Sequence, residues 1–162
     1  MNYEKLLQYG LKIVSRKRYT EAEMKAKLEL FFKKKGMVGT ELIAKVIGRL
    51  EELNYLNDEE YARSYISDRV RFRPKGKFLL KRELTKKGVA KELIEKTIDS
   101  LEIDEYEMAM DVLERAQKKW AKLSTQEQKN KAYRYLAARG FNGDAIYKAT
   151  FTCYNRGDQV EL

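Results

Sequence analysis

Histidine is absent from this 162-residue sequence, and cysteine and proline occur only once each. Without histidine, the chain lacks the side chain that most often acts as a general base and most often binds metal ions. The lone Cys153 excludes an internal disulfide framework and a cysteine-rich zinc site. No stretch approaches the roughly 20 apolar residues that cross a bilayer, and the first residues lack the apolar block of a secretory signal. We therefore expect a cytoplasmic binding protein that makes no membrane contact.

Catalytic motifs are also missing from the chain. The glycines within residues 36–39 and Gly76 lack the pattern of a phosphate-binding loop. No serine or cysteine nucleophile has a histidine to activate it. The carboxylates of residues 58–60 and 104–105 fall in first turns of predicted helices, where the helix dipole accounts for them. We predict no enzymatic activity, no catalytic or metal-binding residues and no cofactor.

Helix-breaking residues are scarce, and apolar residues recur at helical spacing along nearly the whole chain. The pattern predicts an all-α protein with nine helices. They cover about residues 3–17, 21–35, 40–53, 58–72, 76–87, 91–101, 105–121, 125–139 and 143–154.

Helix start and stop signals agree with this prediction. Residues 20–23 (Thr-Glu-Ala-Glu) and 124–127 (Ser-Thr-Gln-Glu) have the spacing of a capping box. Residues 57–60 fit the same geometry, with asparagine as the capping residue. Pro74 disfavours helical geometry in the residue before it, so we expect a break between two helices there.

The helices are predicted to form three tandem repeats. Apolar stripes with the same offsets occur in residues 42–50, 93–101 and 145–153, and each follows a glycine. These glycines, Gly36, Gly88 and Gly140, lie 52 residues apart, and each follows a basic residue. A glycine there can take the left-handed conformation that closes a helix. We predict three-helix repeats over residues 3–55, 56–103 and 104–155, with a C-terminal tail over 156–162 and one additional helical turn in the first repeat, near residues 29–32.

Positive charge is concentrated in the middle repeat. The chain has a net charge of +9, and residues 63–91 contain eleven basic residues against two acidic ones, so the rest of the chain is neutral overall. Like charges at this density repel one another and lower stability, which favours a role in binding. The charge balance alone is compatible with nucleic acid, an anionic membrane surface or an acidic protein as the partner. Of these three we do not expect the membrane.

We predict that basic residues of the middle repeat contact an anionic partner. The candidates are Arg63, Arg69, Arg71, Arg73, Lys75, Lys77, Lys81, Arg82, Lys86 and Lys87. A weaker set lies beside Trp120 in the third repeat and consists of Arg115, Lys118, Lys119 and Lys122.

Three aromatic residues near the basic segments are candidates for the core. Tyr61 and Tyr65 lie one helical turn apart, and Trp120 is spaced from the apolar residues before it like a core residue. We expect all three to be buried in the core. The alternative for the two tyrosines is stacking on bases or anchoring an interface.

Residues 53–65 (Leu-Asn-Tyr-Leu-Asn-Asp-Glu-Glu-Tyr-Ala-Arg-Ser-Tyr) resemble the RecX family of recombination regulators. That family has a leucine, a short turn such as Tyr-Leu-Asp-Asp, then Phe or Tyr, alanine and an arginine. Further similarity lies at Arg69, at residues 81–84, 87–89 and 92–94, and at residues 18–24. The sequence departs from the pattern in the additional turn, in Asn57 where aspartate is usual, and in a divergent third repeat.

The resemblance implies tandem three-helix repeats in an elongated, curved array. It implies binding to the RecA filament on single-stranded DNA, with inhibition of the ATPase, strand-exchange and coprotease activities of RecA. DNA repair, recombination and the SOS response would be modulated in this way, without enzymatic activity or a cofactor. Weak binding to single-stranded DNA is also implied, and we expect a monomer.

Our leading hypothesis is therefore a RecA-filament-binding regulator whose basic middle repeat makes the main contact. The alternative is a nucleic-acid-binding helical module that needs no RecA-type partner. The two differ in whether naked DNA or the RecA–DNA filament binds more tightly.

Overall fold

A computed structural model describes residues 2–155, so the tail predicted over 156–162 lies outside the described residues. The described part of the chain is all-α, and its nine α-helices confirm the nine predicted ones. They are α1 (Tyr3–Val14), α2 (Glu21–Lys34), α3 (Thr40–Glu52), α4 (Asp58–Phe72), α5 (Lys77–Lys86), α6 (Lys91–Ser100), α7 (Glu105–Ala116), α8 (Thr125–Ala137) and α9 (Gly143–Asn155). None of these helices is both long and apolar enough to span a bilayer.

The predicted helix starts are confirmed. Thr20 and Ser124 each complete a capping box, with Glu23 and Glu127 as the reciprocal partners. The Asn57 side chain accepts a hydrogen bond from the backbone N–H of the residue three positions later, at 3.0 Å. Each cap satisfies a backbone donor that the first turn of a helix leaves without a partner.

The helix ends predicted at the three glycines are confirmed as well. Gly36, Gly88 and Gly140 have φ angles of +65°, +81° and +78°, the left-handed conformation that glycine adopts without strain. Helices α3 and α6, each the third helix of its repeat, are followed by non-glycine residues in the left-handed conformation. These are Asn54 (φ +58°) and Glu102 (φ +45°). Helix α2 has 14 residues and α5 has 10, which confirms the additional turn in the first repeat.

The seventh helix differs from its prediction, because it ends at Ala116 instead of continuing to residue 121. A 3-10 turn, Gln117–Trp120, replaces its last turn. This tighter winding changes the direction of the side chains that follow. Trp120 is half-buried, and its ring meets Tyr135 edge-on at 5.3 Å between centroids. Trp120 packs against the apolar core of the second unit, so its assignment to the core is confirmed, with one part of the ring left exposed.

The chain divides into two compact units. Among the described residues, the first comprises 2–64 with Leu84–Thr97, and the second comprises Tyr65–Glu83 with 98–155. The division falls within α4, α5 and α6, so each of these helices contributes residues to both units. The predicted repeat boundaries remain a prediction.

Each unit has its own apolar core, to which the predicted stripes over residues 42–50 and 145–153 contribute. In the first unit α1, α2 and α3 enclose a cluster that includes Leu6, Met24, Leu28, Phe32, Ile43, Val46, Ile47 and Leu50. In the second unit α7, α8 and α9 enclose a cluster that includes Met108, Ala109, Leu113, Ala132, Leu136, Phe141, Ile146 and Ala149. Burial of such side chains is the main source of stability for helices of this length.

The same contact between helix ends occurs once in each unit, and we call it the helix-end joint. In the first unit the Thr20 hydroxyl donates to the carbonyl of Lys87 at 2.6 Å, and a Cβ on Gly88 would overlap Ala22. In the second unit the backbone N–H of Gly76 donates to the carbonyl of Arg139 at 2.8 Å. Both joints therefore connect the start of one repeat's second helix to the end of the next repeat's second helix.

Candidate anion-binding groove

A groove of about 430 Å³ in the second unit gathers several predicted site residues, and we call it the basic groove. It is bounded by the α4–α5 turn and by residues of α7 and α8. Its charged residues are all basic. The lining consists of Phe72, Arg73, Pro74, Lys75, Leu79, Val112, Arg115, Tyr135, Ala138 and Arg139.

The helix-end joint holds the α4–α5 turn beside α8. Pro74 lies in the break between helices α4 and α5, as the sequence predicts. Two residues later, the backbone of Gly76 approaches α8 so closely that a Cβ there would overlap the carbonyl group of Gly140. This contact places Arg73 and Lys75 at the groove.

Arg139 is held in position by Tyr135, one helical turn before it. The guanidinium carbon lies 3.5 Å from the centroid of the Tyr135 ring, and an Nη atom donates to the Tyr135 carbonyl at 3.2 Å. Trp120 supports the same ring edge-on. A guanidinium group stacked in this way stays charged and presents its remaining N–H donors to an anion.

Glu83 is the centre of a half-buried polar cluster next to the groove. Lys75 and Arg69 form ion pairs with its carboxylate, the latter with 3.7 Å between Nε and Oε2. The Tyr65 hydroxyl donates to Glu83 at 2.8 Å and accepts from an Arg69 Nη at 3.0 Å. Partial burial alone would raise the pKa of Glu83, but the hydrogen bonds from Lys75 and Tyr65 and the two positive charges outweigh it, so the pKa is lowered.

We expect Glu83→Gln to be less stable than the wild type by about 1 kcal/mol at pH 7, and to lose less stability in acid. Because folding lowers the pKa of Glu83, its contribution is present above the unfolded-state value near 4.5 and is lost as pH falls through the lower folded-state value. Urea unfolding at pH 7 and pH 3.5 measures both effects. Glu114→Gln, which removes an exposed carboxylate of α7, should keep the acid sensitivity of the wild type. Equal acid sensitivity of Glu83→Gln and the wild type would contradict this account.

The predicted site residues occupy different environments in the two units. Arg63, Arg71, Arg73, Arg82 and Lys86 are exposed, whereas Arg69, Lys75, Lys77, Lys81 and Lys87 are half-buried. The first unit holds Arg63, Lys86 and Lys87, and the second holds the other seven. Of the weaker candidates, Arg115 lines the basic groove, and Lys118, Lys119 and Lys122 are exposed around the 3-10 turn.

Lys87 stabilises the first unit through its own ion pair. Its Nζ lies 3.0 Å from Glu23 Oε1 and 5.6 Å from the centroid of the Tyr61 ring. Partial burial alone would lower the pKa of Lys87, but the Tyr61 hydroxyl and the Glu23 carboxylate raise it to about 12. This lysine therefore contributes to the packing of its unit.

The prediction that Tyr61 and Tyr65 are buried core residues is wrong, because both are half-buried. The Tyr65 hydroxyl belongs to the Glu83 cluster, and the Tyr61 ring lies beside Lys87. A tyrosine near a charged cluster keeps its hydroxyl at the polar edge, because burying that group without a partner is costly.

Sequence reasoning did not identify Arg139 and Tyr135 as groove residues. Arg139 was interpreted only as the basic residue before Gly140, although its spacing of four from Tyr135 is typical of a stacked pair on one helix face. Among the described residues, no cluster of three or more cysteine, aspartate and glutamate side chains is arranged to bind a metal ion.

Known proteins match this chain in the same three-helix repeats. Residues 57–98 match the model of the second three-helix domain of RecX, and residues 102–150 match that of the third. A solved RecX structure from Lactobacillus salivarius superposes with a TM-score of 0.81 at 24% identity and covers 94% of this chain and 96% of its own, which supports the fold.

Curated relatives match over most of this chain. A regulatory protein RecX from Deinococcus radiodurans is 33% identical over 148 residues, which cover 90% of this chain and 67% of the relative. One from Prosthecochloris aestuarii is 31% identical over 144 residues and is itself covered to 89%. One from Bacillus subtilis is 38% identical over 129 residues, but the chain spans under half of its length, 46%. The matched domains and relatives together show that this chain belongs to the RecX family, whose curated members are named regulatory proteins.

Proposed function

We propose that this protein binds the RecA filament on single-stranded DNA in the cytoplasm and inhibits its ATPase, strand-exchange and coprotease activities. It would thereby modulate recombination, DNA repair and the SOS response, acting as a monomer without a cofactor. Membership of the RecX family supports the regulatory role, and the basic groove supports an anionic partner.

The observation that carries the proposal is the charge of the basic groove. Arg73, Arg115 and Arg139 line it together with Lys75, and none of its lining residues among those described is acidic. Lys75 is largely neutralised by Glu83, so the three arginines supply most of the attraction. Arginine suits this role because its planar group binds phosphate and carboxylate through two parallel hydrogen bonds.

One exposed aromatic residue, Phe72, lies beside these cations and can anchor the contact. Phe72 lines the groove and is 67% exposed, and the Arg71 guanidinium lies 5.1 Å from its ring centroid. Long-range attraction accelerates encounter, whereas a buried aromatic anchor lengthens the lifetime of a complex. Residues 71–73, which end α4 and begin the α4–α5 turn, offer both features.

We propose that all ten candidates of the middle repeat contribute to binding, seven from the second unit and three from the first, with different contributions. The exposed members act directly on the partner. Arg69, Lys75 and Lys87 are held by Glu83 and Glu23, so they contribute mainly by stabilising their surroundings. Arg115 adds to the basic groove from the third repeat.

The test is the double variant Arg71→Glu/Arg73→Glu, assayed for inhibition of ATP hydrolysis by RecA on single-stranded DNA. We expect half-inhibition to require at least about tenfold more protein, which corresponds to the loss of one or two charge-assisted contacts. Both side chains are exposed, so the helix content measured by circular dichroism should not change.

The matched control is Lys25→Glu/Lys45→Glu, which changes the net charge equally at exposed positions of α2 and α3. It should inhibit RecA nearly as well as the wild type. If the Arg71/Arg73 variant inhibits as strongly as this control, the α4–α5 turn is not the contact.

A nucleic-acid-binding module without a protein partner is the second candidate, and the exposed Phe72 ring favours it because bases stack on such rings. For naked single-stranded DNA, log affinity should then fall with log salt by about 0.7 per phosphate contact. Under our proposal, the RecA–DNA filament binds much more tightly than naked DNA at one salt concentration. Equal affinities for the two would favour the second candidate.

A further inference from the structure

Helix α9 exposes two neighbouring aromatic rings to solvent. Tyr147 and Phe151 are 67% and 51% exposed, and their rings stack with centroids 6.1 Å apart and planes 28° apart. We call this pair the aromatic ridge. The core of the second unit does not account for it, because Ala145, Ile146 and Ala149 supply the buried face of the same helix.

Cavities lie on both sides of the aromatic ridge. The larger, of about 780 Å³, is lined by the ridge and by residues 102–106, which precede and begin α7. The smaller, of about 370 Å³, is lined by the ridge and by α8, where Tyr133 is 54% exposed. A pair of aromatic rings between two concave surfaces provides the area and shape that a docking side chain needs.

The larger cavity is acidic, although the chain as a whole is basic. Four carboxylates line it, from Glu102, Asp104, Glu105 and Asp144, against the lysines Lys77 and Lys148. Lys148 forms an ion pair with Asp144 at 2.8 Å, and the buried Glu105 carboxylate is bound by the backbone N–H of Lys77 and by Asn142. Glu102 and Asp104 remain as the exposed carboxylates, and the lining as a whole carries a net negative charge. Such a cavity attracts a cation and repels phosphate, so its occupant differs in charge from that of the basic groove.

We propose that the aromatic ridge and its acidic cavity form a docking surface for a basic segment of another protein. In this interaction an aliphatic or aromatic side chain of the partner packs on Tyr147 and Phe151, and a neighbouring lysine or arginine reaches Glu102 and Asp104. Nucleic acid and anionic lipid are the wrong charge for this surface. The protein thus has two surfaces of opposite charge, one for an anionic partner and one for a cationic segment.

The experiment is an amide NMR titration of the full chain with the peptide acetyl-Arg-Phe-Lys-Leu-Arg-amide. We expect saturable shifts at residues 102–106 and along α9. The matched peptide acetyl-Glu-Phe-Glu-Leu-Glu-amide should cause at least tenfold weaker shifts. Tyr147→Ser/Phe151→Ser should weaken binding of the basic peptide at least tenfold, and Glu102→Lys should weaken it with a reduced dependence on salt.

Controls separate this surface from the rest of the protein. Phe78→Ser removes a ring that is 68% exposed on α5, and it should leave the titration unchanged. Arg71→Glu/Arg73→Glu should also leave it unchanged, so this proposal and the proposed function can fail separately. An unchanged dispersion of amide signals shows that each variant is folded.

Three results would overturn the proposal. Equal shifts with both peptides would mean that apolar contact alone drives binding. Shifts confined to other residues would place the site elsewhere. Light scattering that shows a dimer, dissociated by Tyr147→Ser/Phe151→Ser, would make a second copy of this chain the occupant.

Discussion

Replacing Gly140 with alanine is expected to lower the free energy of unfolding by about 3 kcal/mol. Two costs add at this position. The left-handed backbone, with φ of +78°, costs about 1 to 2 kcal/mol for a residue that has a Cβ. That Cβ would also lie 2.5 Å from Leu79 Cβ and 2.7 Å from Leu79 N, and such overpacking costs a further 1 to 3 kcal/mol or so. Urea denaturation measures the change.

Gly36→Ala is the matched control for this prediction. Gly36 has a similar φ of +65°, but a Cβ there meets nothing within 4 Å, so only the backbone cost of about 1 kcal/mol applies. Gly88→Ala should resemble Gly140→Ala, because its Cβ would overlap Ala22. If all three variants lose the same stability, the helix-end joint is looser than its geometry indicates.

The second large effect is expected for Glu105→Ala, at about 3 kcal/mol. Glu105 is only 7% exposed. Its carboxylate accepts from the backbone N–H of Lys77 at 2.7 Å and from the Asn142 side chain, so it connects the start of α5 with the start of α9. Removing this acceptor leaves two partly buried donors without a partner, at about 1 to 3 kcal/mol each. Some of this cost is recovered where water reaches them.

Two variants calibrate the Glu105 prediction. Glu105→Gln retains one acceptor oxygen and the side-chain volume, so it should lose roughly half as much stability. Glu107→Ala removes an exposed carboxylate from the same first turn and should cost at most about 0.5 kcal/mol. Thermal unfolding followed by circular dichroism ranks the three. Equal losses in Glu105→Ala and Glu107→Ala would show that the buried hydrogen bonds add nothing.

Local signals predicted most of the fold. Capping residues such as Thr20 and Ser124, and the left-handed glycines, act through the nearest few residues of backbone, so their spacing alone fixes where helices begin and end. The apolar stripes likewise identified buried residues, including Ile43, Ile94 and Ile146. The end of α7 was not predicted, because the 3-10 turn at residues 117–120 has no distinct signal in the sequence.

Contacts between distant residues account for what the sequence did not reveal. Glu105 was interpreted as a first-turn carboxylate, since nothing nearby in sequence indicates that Lys77 and Asn142 bind it. Glu83 was counted only as one of two acidic residues in a basic segment, although it binds both Arg69 and Lys75. A charge count treats every ion as equally exposed, whereas pairing depends on which helices pack together.

The basic groove was likewise predicted in part: its charge could be located from the sequence, but its long-range contacts could not. The sequence located the excess charge around Arg71, Arg73 and Lys75, and it named Arg115 as a weaker candidate. It could not show that Arg115 and Arg139 come beside the α4–α5 turn, because the contact between Gly76 and the end of α8 is made over more than 60 residues of chain. Whether these cations bind a partner stays a prediction.

The helix-end joint also bears on how a chain of this kind can lengthen by duplication. Gly36 already has the backbone conformation of Gly88 and Gly140, yet a Cβ on it would meet no atom within 4 Å. In a longer chain, the first turn of the second helix of another three-helix repeat can pack on Gly36. The contact would be the one that residues 20–22 make with Gly88. A repeat can then be added without sequence changes in the existing repeats, because the new interface is another copy of the helix-end joint.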